Sequence, residues 1–327
     1  MPSKLSSASM GQKQQLMQHF ADIVGQSQAV DLLVQAVTRQ RIAPGYLFIG
    51  PNGIGRSLAA TAFATILLGT PHTSIENLKH RIQSHNHPDL LWVEPTYLHQ
   101  NQLLTVAEAQ AAGVKRRGRP QVRLDQIRDI ARFLSRPPLE ASRAVVVIEA
   151  AELIAEAAAN GLLKTLEEPG QATVILIAPD QQALLPTLIS RCQTIPFRRL
   201  SPADMAQVLT KVGHQDILNS PEVLSLAQGC PGSAIASWQQ LQSIPPELIQ
   251  QVSQPISNVR NALELARQIV QILAPESQLW LLDYLQQSRW QQGHAQGMEH
   301  LELARKQLLR YVQPRLVWEV TLMNLIY

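Results

Sequence analysis

Cysteine is nearly absent, with only Cys192 and Cys230 in 327 residues. Two thiols cannot build a disulfide framework or fill a four-thiolate zinc site, so a reducing compartment, the cytoplasm, is expected. Charge is also sparse. The 28 basic residues exceed the 25 acidic ones by only three, whereas a protein that grips a duplex unaided carries a far stronger local basic excess. That balance neither demands nor excludes direct nucleic-acid binding. No apolar run reaches the length of a spanning helix, so no membrane partner is expected. Met1 to Phe20 is polar, rich in Gln and Ser, and lacks the apolar core of a secretory signal. What the chain does hold is apolar residues, 45% of the total, enough for packed interiors. Its length, at about 150 residues per domain, predicts two or three domains.

Those apolar residues fall into two patterns. From Asp22 to Phe197, helical spacing (Val24–Arg39, Leu58–Leu68, Leu124–Leu134, Ala183–Ile189) alternates with short apolar runs (Tyr46–Ile49, Leu90–Val93, Ala144–Ile148, Thr173–Ile177, Thr194–Phe197). Uninterrupted β-branched runs separated by helices are what a parallel sheet covered on both faces requires, so the fold class is α/β. Thr96 to Gln121 is the least ordered-looking stretch of this part. After Phe197 only helical patterns remain, with a turn at Gly229–Gly232, a joint near Ser243–Pro246, and breaks at Pro275 and Pro314. The expected units are residues 1–198, 199–245 and 246–327.

The strongest chemical signal is Gly50-Pro51-Asn52-Gly53-Ile54-Gly55-Arg56-Ser57, placed between a strand and a helix as the phosphate loop G-x-x-x-x-G-K-[ST] is. Gly50, Gly53 and Gly55 free backbone N–H groups for a phosphate, and the helix N-terminus adds partial positive charge. Arg56 stands in the lysine position, and a planar guanidinium does not replace a compact ammonium between phosphates. The second signal is the apolar strand Val145–Ile148 running into Glu149. There a Walker-B acid would hold magnesium and its neighbour would orient water. Glu149 is one methylene longer than aspartate, and Ala150 has no polar atom for the second task. Loss of a positioned base costs about 10²–10⁴ in rate. The third signal, Ser190-Arg191-Cys192, follows a helical segment. Taken alone, Arg191 reads as a dipole partner or a solvated charge.

Together these motifs carry a resemblance. Phe20–Gln26, Tyr46–Gly50, His87-Pro88-Asp89, Ala157–Asn160, Leu162–Pro169 (LLKTLEEP), Ser190–Cys192 and Tyr311–Leu316 are similar to bacterial clamp-loader subunits of DNA polymerase III, from about residue 20 to the end. The degenerate phosphate loop and acid strand favour the delta-prime over the tau/gamma type. The resemblance implies an AAA+ P-loop module with a parallel sheet, then a small helical lid domain and an all-helical collar. Such a subunit works within the polymerase holoenzyme, a nucleotidyltransferase complex. It sits in a hetero-pentameric ring with tau/gamma and delta, and that ring places the sliding clamp on primed DNA. It further implies that Arg191 acts in trans as an arginine finger on a neighbour's ATP.

Several departures refine those expectations. Many relatives carry a four-cysteine zinc site between the phosphate loop and the acid strand. This chain has no cysteine there, and His72, His80, His85 and His87 lack ligand spacing, so no metal is expected. The segment Gly229–Ala234 lacks the lid arginine of ATP-binding members, and Ala178-Pro179 offers no side-chain donor at the end of its strand. The expected reading is therefore a ring member with no cofactor requirement, an empty vestigial ATP site and no ATPase activity of its own. The alternatives are an active AAA+ ATPase that hydrolyses its own ATP and, more remotely, a P-loop kinase or phosphotransferase. The basic run Lys115 to Arg119 reads as a solvated loop against transient DNA contact. Trp280, Trp290 and Trp318 read as core or interface anchors.

Overall fold

The computed structural model describes residues 11, 13–70, 73–100, 102–114, 119–168, 170–291, 293 and 297–326. It divides into two compact units, Met1–Leu200 and Ser201–Tyr327.

The first unit opens with helix α1 (Ser27–Thr38), strand β1 (Gly45–Ile49) and helices α2 (Arg56–Leu68) and α3 (Ile75–Gln83). Strands β2 (Leu90–Val93), β3 (Thr96–His99) and β4 (Gln102–Thr105) follow, then α4 (Val106–Ala111) and α5 (Leu124–Leu134). The rest is β5 (Ala144–Ile148), α6 (Glu156–Glu167), β6 (Ala172–Ala178), α7 (Pro186–Ile189) and β7 (Gln193–Pro196).

Five strands make one parallel sheet in the order β2-β5-β6-β1-β7. Every residue of β5 and β6 is buried, which accounts for their apolar, β-branched composition: helices cover both faces. Neighbouring β1 and β6 send their connections in opposite directions, β1 to the far edge at β2 and β6 across to β7. Their C-terminal ends thus flank the crevice where open α/β sheets bind ligands. The loop Gly50–Gly55 leaves β1 at that crevice.

Two local expectations are corrected. The described residues of Thr96 to Gln121, the stretch that looked least ordered, hold a hairpin and a helix. β3 and β4 pair as an antiparallel hairpin, and α4 follows with Thr105 and Glu108 forming a reciprocal capping box. Backbone bonds in both directions between Thr96 and Gln121 tie the ends of the stretch. Four-residue strands are too short to show a period, although the T-x-x-E cap signature was present in the sequence. The helix expected over Ala183–Ile189 shrinks to the single turn Pro186–Ile189, because proline drives the residue before it out of the helical region; Leu185 is extended.

The second unit is helical: α8 (Pro202–Lys211), α9 (Pro221–Ala227), α10 (Pro231–Ser243), α11 (Pro246–Ser253), α12 (Val259–Ile272), α13 (Pro275–Gln291), α14 (Met298–Leu309) and α15 (Pro314–Met323). Prolines that read as breaks each open a helix, at the first position where a missing N–H costs nothing. Trp318 is fully buried among Leu and Ile side chains. Its indole N–H reaches Gln278 Oε1 at 2.9 Å, and Gln278 Nε2 donates to the Leu273 carbonyl at 2.9 Å. Trp280 stacks on Tyr284, while Trp290 is exposed. The segments on either side of residue 245 are joined within this unit by Gln287 Nε2 donating to Ser225 Oγ at 2.5 Å. Among the described residues no helix is long and apolar enough to cross a membrane.

Candidate functional site: two edges of one sheet

At the C-terminal edge, the phosphate loop has the backbone its glycines permit. A Cβ on Gly50 would stand 2.6 Å from the Phe197 carbonyl oxygen, so this glycine lets two backbone segments touch. Gly55, at the N-cap of α2, has φ of +100°, a conformation strained for any residue with a side chain.

The side chains of this edge turn toward one another. Arg56 is buried and donates back to Asn52 Oδ1 of its own loop at 2.5 Å. Burial pushes the Glu149 carboxyl above its ordinary range; Ser57 and the Arg56 charge offset part of that rise, and the Glu94 charge adds to it. Glu152, in the short 3₁₀ turn Ala151–Leu153, is also raised by burial, with Arg56 opposing and Asp180 and Glu149 reinforcing. Ala150 adopts a left-handed conformation (φ 46°, ψ 55°) and brings no polar group. At the end of β6, the Ala178 carbonyl accepts from the Gly50 N–H.

Arg191 lies at the other edge. β7 runs parallel to β1 with Gln193 beside Tyr46. Arg191 therefore sits six residues below Gly50, roughly 20 Å along the strand direction, and away from its own phosphate loop. Its Nε and Nη2 donate to Glu167 Oε1 at 3.0 and 2.6 Å, and Nη1 donates to the Thr187 carbonyl at 3.1 Å. Cys192 packs against Gly45, where a Cβ would lie 2.8 Å from its Sγ. Burial pushes this thiol up to about 12, so it is a packing residue and not a nucleophile.

Residues at both edges acquire roles that the sequence did not reveal, Asp89 at the N-terminal one and Gln26 at the C-terminal one. Asp89, 2% exposed, accepts from the backbone N–H groups of Leu139, Glu140 and Ala141 at 2.6, 2.8 and 2.7 Å. Burial alone would raise its carboxyl. The three donors and nearby His87 outweigh burial and hold it below the usual range. His87 is itself lowered, first by burial and then by Arg81, which suits Nδ1 accepting from the Asp89 N–H at 3.1 Å. Gln26 grips Arg198 through its side-chain amide, Nε2 to the carbonyl at 2.6 Å and Oε1 from the N–H at 2.9 Å. His80 and His85 are exposed, and His72 lies outside the described residues. Among those described, no group of three His, Cys, Asp or Glu could hold a metal. Of the basic run, Arg119 is exposed and Lys115, Arg116 and Arg117 lie outside the described residues.

The sequence matches known families along most of its length. Residues 25–201 match the family described as DNA polymerase III, delta subunit, and residues 203–325 match the cyanobacterial DNA polymerase III delta prime, C-terminal domain. DNA polymerase III subunit delta' of Bacillus subtilis is 34% identical over 183 residues, 54% of this chain and 49% of that protein. Its counterpart in Pseudomonas aeruginosa is 32% identical over 223 residues, 66% of this chain and 61% of that one. The tau subunit of Bacillus subtilis is 26% identical over 238 residues, 71% and 39% of the two chains. The chain thus spans about half the length of the Bacillus delta' relative and less of tau. A solved DNA polymerase III gamma subunit-related protein from Thermotoga maritima shares the fold, with a TM-score of 0.55 at 15% identity over 90% of this chain and 97% of that one. The shared architecture is an α/β module with a parallel sheet followed by a helical unit. With both units matched, the chain belongs to the delta-prime family of DNA polymerase III subunits.

Proposed function

We propose that this chain is a clamp-loader subunit that hydrolyses no ATP itself and lends Arg191 to the nucleotide of a neighbouring ATPase subunit. In this reading it joins tau/gamma and delta subunits in a hetero-pentameric ring that loads a sliding clamp onto primed DNA. The work is cytoplasmic. Residues 199–245 act as lid and residues 246–327 as collar.

The observation that carries the reading is the separation of the two edges: the one arginine of the SRC motif is far from its own phosphate loop and faces outward. An arginine supplied in trans adds about 10³–10⁵ to phosphoryl transfer by stabilising charge on the transferring group. The phosphate loop, in contrast, does not fit a magnesium nucleotide. Burial disfavours the charged form of Glu149, the acid that would hold magnesium beside Ser57. Arg56 is folded onto Asn52, and Ala150 cannot orient water.

The test is Arg191→Ala in a complex reconstituted with the partner subunits, the clamp and primed DNA. Assembly is expected to persist, and turnover at the site facing Arg191 to fall about 10³-fold or more. Unchanged turnover would overturn the finger. Sub-micromolar ATP binding with hydrolysis by the isolated chain would overturn its silence and favour an active AAA+ ATPase.

A further inference from the structure

The LLKTLEEP run ends α6 with two consecutive acids, Glu167 and Glu168. Carboxylates at a helix C-terminus face the negative end of the macrodipole, so their presence there needs a compensating partner. For Glu167 that partner is Arg191. One oxygen, Oε1, accepts both Nε–H and Nη2–H, while the Thr187 carbonyl and Ser190 Oγ accept from Nη1 at 3.1 and 3.4 Å. The plane of the guanidinium is thereby fixed on three sides, yet 36% of the side chain stays open to solvent.

Both anchors are rigid. Leu162 and Leu166 bury the inner face of α6. Leu166 and Cys192, the neighbours of Glu167 and Arg191 in sequence, both pack against the glycine at position 45. Packing under the pair therefore sets the distance between carboxylate and guanidinium.

The geometry points to Glu167 as a positioning residue that holds Arg191 ready before a neighbour's nucleotide arrives. This rests on the reading of Arg191 as a finger and deepens it. An ion pair this exposed adds little stability. What it does is remove rotamer freedom from a long side chain in advance, so the transition state meets an oriented cation. Losing Glu167 should then lower kcat at the neighbouring site and leave the KM for ATP alone.

Two measurements test this. In the full chain labelled with ¹⁵N-arginine, Arg191 should give an Nε–H resonance protected from exchange, and Glu167→Ala should abolish that protection. In the reconstituted complex, Glu167→Ala should lower kcat about fivefold, the limit for an exposed pair, with unchanged KM and unchanged melting temperature. Glu167→Gln, which keeps an acceptor oxygen at the same reach, should restore most of the rate. In an Arg191→Ala background, Glu167→Ala should cost nothing more. An equal loss in that background would show that Glu167 acts elsewhere and overturn the inference. A silent Glu167→Ala beside a damaging Arg191→Ala would overturn it while leaving the finger intact. A silent Arg191→Ala would sink both readings together.

Discussion

At the C-terminal edge of the sheet the charged side chains close on one another; at the N-terminal edge they hold up pieces of chain that face solvent. Arg56 folds back onto Asn52, and its charge with Ser57 offsets part of the burial of Glu149, beside a loop whose glycines keep the backbone of a phosphate cradle. Across the sheet, Asp89 clamps the backbone of residues 139–141 and Glu167 clamps Arg191. The titrations diverge in the same way. Burial dominates at the first edge and raises Glu149 and Glu152, while hydrogen bonds outweigh it at the second and lower Asp89. A motif can keep its backbone after its side chains have been turned inward, so the presence of the glycines alone says little about nucleotide use.

If the glycines now serve packing, removing the first should damage the fold and not a ligand site. Gly50→Ala places a Cβ 2.6 Å from a carbonyl oxygen of Phe197, a backbone atom that cannot swing aside. We expect a loss of about 3 kcal/mol in chemical denaturation. A variant as stable as wild type would mean the loop retains slack for another purpose, and the comparison between edges would weaken.

Asp89→Asn should cost slightly less, about 2 kcal/mol. The carboxylate serves three donors with two oxygens, and an amide keeps one oxygen and turns an NH₂ toward the remaining N–H. Because the folded carboxyl lies below its ordinary 3.8, its contribution is fully present above that value and is lost as pH falls through the folded value. The stability gap between wild type and variant should therefore narrow on acidification below 3.8; a gap that stays constant as the pH falls argues that the loop is held by something else.

Much of this architecture was legible, and the reason differs by element. β5 and β6 announce themselves because a strand buried on both faces has no polar position to blur the run. Six helix starts of the second unit fall on prolines, while α12 opens on Val259 and α14 on Met298. The hairpin of β3 and β4 was not, since each strand is only four residues long and half exposed. The site was legible as motifs but not as edges. That Arg191 and Gly50 lie at opposite ends follows from one preceding β7 and the other ending β1, but that these two strands are neighbours no local pattern reports. The partners missed are pairs distant in sequence: Gln26 with Arg198, 172 residues apart, Asp89 with Leu139, 50 apart, and Arg191 with Glu167, 24 apart. Each has at least one member in a motif, and only packing shows which residue it meets.

The smallest expected effect separates the edges most cleanly. An unfolded glutamate titrates near 4.5, and burial raises Glu149 above that. Between the two values the folded chain holds a proton that the unfolded chain has released, so this group subtracts stability as pH rises through the interval. That is the opposite sign to Asp89. Glu149→Gln removes the titration and cannot charge at any pH. The variant should therefore gain on wild type from pH 4.5 upward and reach a constant difference above the folded value, read as denaturation midpoints across pH 4 to 8. If the proposed silence of this phosphate loop holds, turnover in the reconstituted complex should not change. A pH-independent difference would mean that Glu149 is charged throughout and held by Arg56, and an altered turnover would mean that the inward-turned loop still takes part in the neighbour's chemistry.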